Sequence, residues 1–141
     1  QRQMCIRDRL EEGNVKLKFR DDVKMKIAYH TPCHMEKLGW AYYSIALLRS
    51  IPNINLTVLN SQCCGIAGTY GFKKENYETS QGIGASLFRQ IEEVAADFVA
   101  TDCETCKWQI EMSTSAKVKH PISILAEALD LEATRKLNSD K

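Results

Sequence analysis

The chain has 141 residues, 44% hydrophobic and 26% charged, with 19 basic side chains against 18 acidic ones. This is the size and make-up of one domain that buries roughly two thirds of its unfolded surface, and the near-balance of charge excludes electrostatic capture of nucleic acid as a leading function. Six cysteines are not needed as staples at this size, and no apolar run approaches the ~20 residues that span a bilayer.

No signal peptide opens the sequence, so the expectation is a cytoplasmic chain. In that reducing setting, clustered cysteines bind metal or do redox chemistry more often than they form lasting disulfides. The first nine residues, Gln1 to Arg9, have no clear period and a texture similar to translated adapter sequence. They read as a non-native extension, are set aside with Cys5, and imply a fragment whose upstream part is missing.

In chain order, Lys26 to His30 is a short apolar run ended by Thr31-Pro32, because the residue before proline is pushed out of the helical region. A strand stopping just before Cys33 is predicted. From Glu36, the positions Leu38, Ala41, Ile45 and Leu48 share one helical face until Pro52-Asn53, which predicts a single helix of three to four turns. Asn55 to Leu59 reads as a second strand, followed at once by Cys63-Cys64-Gly65.

The alternation then repeats. Ile83, Leu87, Ile91 and Val94 mark a second amphipathic helix, Asp97 to Thr101 a third strand, and Cys103-Glu-Thr-Cys106 the opening of another helix that runs on from Lys107 to Met112. Val118 is a candidate for a fourth short strand. Pro121 suits the first turn of a last helix whose apolar face is Ile122, Leu125, Ala126 and Leu129. The boundaries are thus residues 10–131 for a cysteine-rich domain and 132–141 for a polar tail expected to fray.

Strands alternating with amphipathic helices predict an α/β layered domain with a short, mainly parallel sheet, and ligands of such sheets bind beyond the carboxyl ends of the strands. Cys33, Cys63, Cys64, Cys103 and Cys106 all follow predicted strands, so five sulfurs are expected at one edge. The two-residue gap between Cys103 and Cys106 lets one turn aim both thiolates at one centre. Four of the five would close a structural zinc site, and five are one too many for it. An iron-sulfur cluster accepts thiolates on several irons, so Cys63 and Cys64 can each serve a different one, with Gly65 relaxing the turn. A thioredoxin-like reading of Cys103 and Cys106 leaves three cysteines unexplained.

Tyr29-His-Thr-Pro-Cys-His34, Gln62-Cys-Cys-Gly-Ile-Ala-Gly-Thr-Tyr-Gly71 and Asp102-Cys-Glu-Thr-Cys-Lys-Trp-Gln109 resemble the cysteine-rich CCG domain. That family includes the cysteine-rich subunit of heterodisulfide reductase and the iron-sulfur subunits of glycolate, lactate and anaerobic glycerol 3-phosphate oxidation. The resemblance runs from about Leu10 to Leu129. It implies an electron-transfer component, not itself catalytic, that takes electrons from flavin-bearing dehydrogenase subunits and passes them towards menaquinone. Its location would be peripheral, on the cytoplasmic face of the inner membrane. The resemblance further implies a 4Fe-4S cluster of noncubane type held by Cys33, Cys63, Cys64, Cys103 and Cys106. A structural zinc domain and a thiol-disulfide module of the heterodisulfide reductase kind remain the alternatives.

Two readings stay open for His30 and His34: donors to a metal centre, by ligation or by hydrogen bonding to its sulfur, or a strand end and a helix cap. His120 before Pro121 reads as structural. Trp40, Tyr42 and Tyr43 can face a partner or form ordinary surface, and no Ser/His/Asp arrangement or acid pair nominates a catalytic residue.

Overall fold

The computed structural model describes residues 2–13, 15–60 and 62–139. Gln1, at the start of the expected extension, and Asp140 and Lys141, at the end of the expected tail, lie outside the described residues, as do Asn14 and Ser61. Four short strands, β1 (Met25–Tyr29), β2 (Ile54–Val58), β3 (Phe98–Ala100) and β4 (Val118–Lys119), form one sheet in the order β2-β1-β3-β4. Every strand pairing is parallel, with Tyr29 opposite Val58 on one side and Ala100 on the other. The α/β layered class and all four strands agree with the sequence.

Among the described residues seven α-helices accompany the sheet: α1 (Arg2–Glu11), α2 (Cys33–Lys37), α3 (Ala41–Arg49), α4 (Tyr77–Val94), α5 (Glu104–Ser113), α6 (Pro121–Ala128) and α7 (Leu131–Ser139). Successive strand side chains point to opposite faces, and the core divides accordingly. Ala28, Val99 and Val118 pack with Leu87, Phe88 and Ile91 of α4 and Ile110 of α5. Ile27, Tyr29 and Ala100 pack on the other face with Leu47 and Leu48 of α3 and Ile124, Leu125 and Ala128 of α6, which Ile6 and Leu10 of α1 also join. A sheet covered on both sides explains why the strands read as apolar runs.

From β1 the chain crosses to β2 on one flank and then returns to lay β3 on the other. The strand order thus reverses between β1 and β3, and open parallel sheets bind ligands beyond the carboxyl ends of the strands at such a point.

Three local expectations are corrected. The single helix from Glu36 is two, because Gly39 adopts φ +68 and a left-handed residue ends a helix; Leu38 is consequently 54% exposed. In α4, Ile83 faces solvent, and the buried face is Ser80, Gly84, Leu87, Phe88 and Ile91. In α6, Ala126 is exposed while Ile124 and Ala128 are buried. The tail also folds: α7 is tied to the chain before β1, with the Lys16 amide donating to Asn138 Oδ1 at 3.0 Å and the Lys18 amide to Thr134 Oγ1 at 3.0 Å.

Candidate metal centre

Each cysteine of the candidate site sits where a strand gives way to the next element. Cys33 is the first residue of α2, entered through Pro32 in an extended conformation. Cys63 and Cys64 lie on the loop after β2, and Cys103 is the N-cap of α5, with Cys106 one turn later on its buried side. The sheet brings the five into one connected group. The Cys64 and Cys106 sulfurs are 3.3 Å apart, Cys106 also interacts with Cys103, and Cys33 interacts with Cys63 and Cys64. Cys5 lies apart from this series on α1 and is exposed.

Burial grades across the group. Cys64 and Cys106 are buried, Cys63 and Cys103 partly so, and Cys33 is exposed. A centre held here is closed towards the sheet and open on the Cys33 side.

The CCG turn is held by close packing against α4. Gly65 has φ +89, and a methyl group there would overlap the Ser80 carbonyl. Gly84 answers on the helix, since a side chain there would fall 2.6 Å from the Cys64 carbonyl oxygen. The Ser80 hydroxyl donates to the Gly65 carbonyl at 2.8 Å and accepts from Gln109 Nε2 of α5 at 2.9 Å. One buried serine therefore ties the loop of Cys63 and Cys64 to the helix of Cys106.

A second network fixes the β3 edge. The Asp102 carboxylate, its side chain 4% exposed, accepts from Tyr29 Oη at 2.6 Å and from Ser44 Oγ at 2.8 Å. Burial, and next to it the Asp102 charge, push the Tyr29 hydroxyl far above its ordinary range, so it stays a donor. Hydroxyls donating to a carboxylate are the strong kind of hydrogen bond, and these hold the residue that immediately precedes Cys103. His120 caps α6, its Nδ1 accepting from the Ile122 amide at 3.2 Å, which agrees with a structural role.

The thiols do not share one ionisation state. Cys103 is drawn down to about 4, chiefly by a hydrogen bond from Cys106, against burial and with help from the Thr105 hydroxyl. Cys64 falls to about 5, again chiefly through Cys106, with His30 contributing after burial is overcome. Cys106 is pushed far up because it keeps the proton that both neighbours share. Cys33 is raised too, first by the shielding of its sulfur within an otherwise exposed residue and then by the Cys63 and Cys64 charges.

This order predicts site-selective alkylation of the metal-free chain. At pH 6 an ordinary thiol is ~0.3% ionised whereas Cys103 is nearly all thiolate, roughly a 300-fold gain, of which its weaker nucleophilicity removes about 100-fold. Cys64 is shielded by burial. Iodoacetamide at pH 6 is expected to label Cys103 a few-fold faster than the other cysteines, an advantage that widens as pH falls towards 4, where the absolute rate begins to drop, and that is lost as pH rises to about 7. Peptide mass spectrometry reads it, and equal labelling across the cysteines refutes the assignment.

His30 does stand at a strand end, and its surroundings add to that reading. It follows β1 and is 1% exposed, and neither ring nitrogen has a hydrogen-bond partner among the described residues. A nitrogen of the ring nevertheless lies within 4.8 Å of the Cys64 and Cys106 sulfurs, near enough to favour the Cys64 thiolate. These three residues form a group able to hold a metal ion. His34, by contrast, is exposed on α2 and caps nothing. Tyr42 is exposed, with Trp40 and Tyr43 partly buried.

The donor set, five thiols with an imidazole beside them, suits soft or borderline metals bound through thiolate. Residues 27–111, more than half of the chain, match the CCG family of cysteine-rich domains. The chain belongs to that family. It is 73% identical over 105 residues to the C subunit of anaerobic glycerol-3-phosphate dehydrogenase from Escherichia coli K12, covering 74% of this chain and 26% of that protein. It is 33% identical over 93 residues to an uncharacterized iron-sulfur protein of Methanocaldococcus jannaschii, covering 64% of this chain and 18% of the other. It is also 31% identical over 68 residues to D-2-hydroxyglutarate dehydrogenase of E. coli K12, covering 48% and 7%. This CCG chain thus spans about a quarter of the length of the glycerol-3-phosphate dehydrogenase relative. No helix among its described residues is long and apolar enough to cross a membrane.

Proposed function

We propose that the chain is an iron-sulfur electron-transfer module of an anaerobic glycerol 3-phosphate-oxidising complex, in which Cys33, Cys63, Cys64, Cys103 and Cys106 hold a noncubane 4Fe-4S cluster. The carrying observation is the connected group that five thiols from three separate chain segments form at the carboxyl ends of the strands. When bound, the cluster supplies one-electron exchange. The chain supplies the thiolates, closes the inner side with Cys64 and Cys106, and excludes water there through the core around Leu59, Ile66 and Ile110.

The exposed Cys33 side is the face through which electrons enter or leave. Beside the loop of Cys63 and Cys64, Phe72 and Trp108 lie half-exposed with ring centroids 6.0 Å apart, and exposed aromatics of this kind are enriched where subunits dock. On this reading flavin-bearing subunits oxidise the substrate and donate through that surface, and menaquinone receives the electrons. The complex lies peripherally on the cytoplasmic face of the inner membrane.

Anaerobic reconstitution with iron and sulfide is expected to give bound iron and acid-labile sulfide together, with broad visible absorption that dithionite bleaches. Stoichiometric zinc without sulfide, in protein made under iron-replete anaerobic conditions, would instead favour a structural site on His30, Cys64 and Cys106 with one further cysteine, a reading that the 4.8 Å grouping supports.

A further inference from the structure

We propose that the His30 imidazole is a buried hydrogen-bond donor to the sulfur of the metal centre, setting its reduction potential without ligating it. The inference rests on the iron-sulfur reading above. Buried polar atoms almost always have partners, yet four buried side-chain atoms among the described residues lack one, and three of them belong to two residues at adjoining strand ends: both ring nitrogens of His30 and Oγ1 of Thr101. Tyr29 pairs with Ala100, so the next residues along, His30 and Thr101, lie side by side at the carboxyl ends of β1 and β3. Both are at most 2% exposed.

The imidazole is held in place from behind, its own backbone amide donating to the Ala100 carbonyl at 2.9 Å. In front of it lie the two most buried sulfurs of the group, Cys64 and Cys106. Metal-bound thiolates and inorganic sulfides carry no protons and are acceptors only. A neutral imidazole carries one N–H, and a ring with no protein acceptor can satisfy it on the centre. Five thiolates already provide the ligands, so a sixth protein donor is more useful as an N–H than as a lone pair. Hydrogen bonds to cluster sulfur stabilise the more negative, reduced state and raise the potential.

The test compares the full chain with His30→Gln, which keeps an N–H donor, and His30→Leu, which has none. Each is reconstituted anaerobically with iron and sulfide, assayed for both, and titrated to its midpoint potential. Iron and sulfide are expected to equal wild type in both variants, with a negative potential shift in His30→Leu and a smaller one in His30→Gln. In the metal-free chains, denaturant unfolding is expected to show His30→Leu no less stable than wild type, since no protein hydrogen bond is lost.

Unchanged potential in His30→Leu at full iron content overturns the proposal. Loss of iron from both variants makes His30 a ligand and overturns it too, and marked destabilisation of both metal-free variants shows an imidazole satisfied by the protein. Wild-type chain that takes up no iron and sulfide refutes the cluster reading instead, and that failure shows in the control, not in the variants.

Discussion

Serine in place of Cys33, Cys63, Cys64, Cys103 or Cys106, one at a time, is expected to abolish or visibly alter the absorption of the reconstituted chain at every one of the five positions. A serine oxygen is a hard, protonated donor at neutral pH and a poor substitute for thiolate on iron. Even changes outside the ligand set commonly cost metal centres ~10–100-fold in affinity, so loss of a ligand is expected to cost more. The largest losses should fall at Cys64 and Cys106, whose sulfurs are 3.3 Å apart and buried. The Cys33 variant should retain most, since that residue is exposed and water can take its place.

The pattern across the series separates the readings. A tetrahedral zinc site would leave at least one of the five without effect, and a thiol pair doing disulfide exchange would leave three. Cys5→Ser, at an exposed position of α1, is the internal control and should match wild type. Metal-free denaturation of each variant distinguishes loss of a ligand from loss of fold. A serine hydroxyl buried at position 64 or 106 without a partner costs about 1–3 kcal/mol, too little by itself to unfold a domain of ordinary stability.

How much of this was legible in the sequence depends on the range of the interaction that decides each feature. Strand positions and the α/β class were readable because the central strands β1 and β3 are buried at their carboxyl ends and read as short apolar runs, while edge strand β2 keeps enough apolar residues to stand out despite Asn55 and Thr57. The convergence of the cysteines followed from topology once each was seen to trail a strand. Helix faces were less readable, because their direction is set by what they pack against. Ile83 fits the apolar period of α4, but the helix turns Ser80 and Gly84 towards the CCG turn and leaves Ile83 in solvent. Small residues spaced four apart in an amphipathic helix were the available signal, and Gly39 was the signal for the break between α2 and α3.

The supporting networks were not legible at all. Asp102 meets Tyr29 across 73 positions and Ser44 across 58, and no local pattern announces pairings of that range. For His30 the sequence could only set two readings side by side. The observation on which the proposal for His30 rests is a property of the folded state, an imidazole 1% exposed with both nitrogens unpartnered among the described residues. The placing of the thiols at the strand ends was therefore readable and their supporting contacts were not, because the thiols follow chain order while those contacts depend on burial and packing.

Gly65→Ala is expected to be the most damaging of the conservative substitutions, and Gly68→Ala makes its effect interpretable. Both glycines hold positive φ, +89 and +66, but a methyl group at Gly68 meets nothing within 4 Å, whereas at Gly65 it runs into the Ser80 carbonyl and lies 3.2 Å from the Gly84 nitrogen. The left-handed backbone alone costs an L-residue roughly 1–2 kcal/mol, and forcing a methyl into a packed site adds about 1–3 kcal/mol. Gly68→Ala should show only the first cost in denaturant unfolding and keep full iron uptake. Gly65→Ala should show both, on the order of 2–5 kcal/mol out of the roughly 5–15 kcal/mol typical of a domain. Relief of the clash must come from moving the loop off α4, which breaks the Ser80 bond to the Gly65 carbonyl and draws Cys64 away from Cys106. Iron uptake should therefore fall in Gly65→Ala even below its unfolding midpoint. Equal stability and equal iron in the two variants would mean that the contact of the CCG turn with α4 does not set the spacing of the thiols.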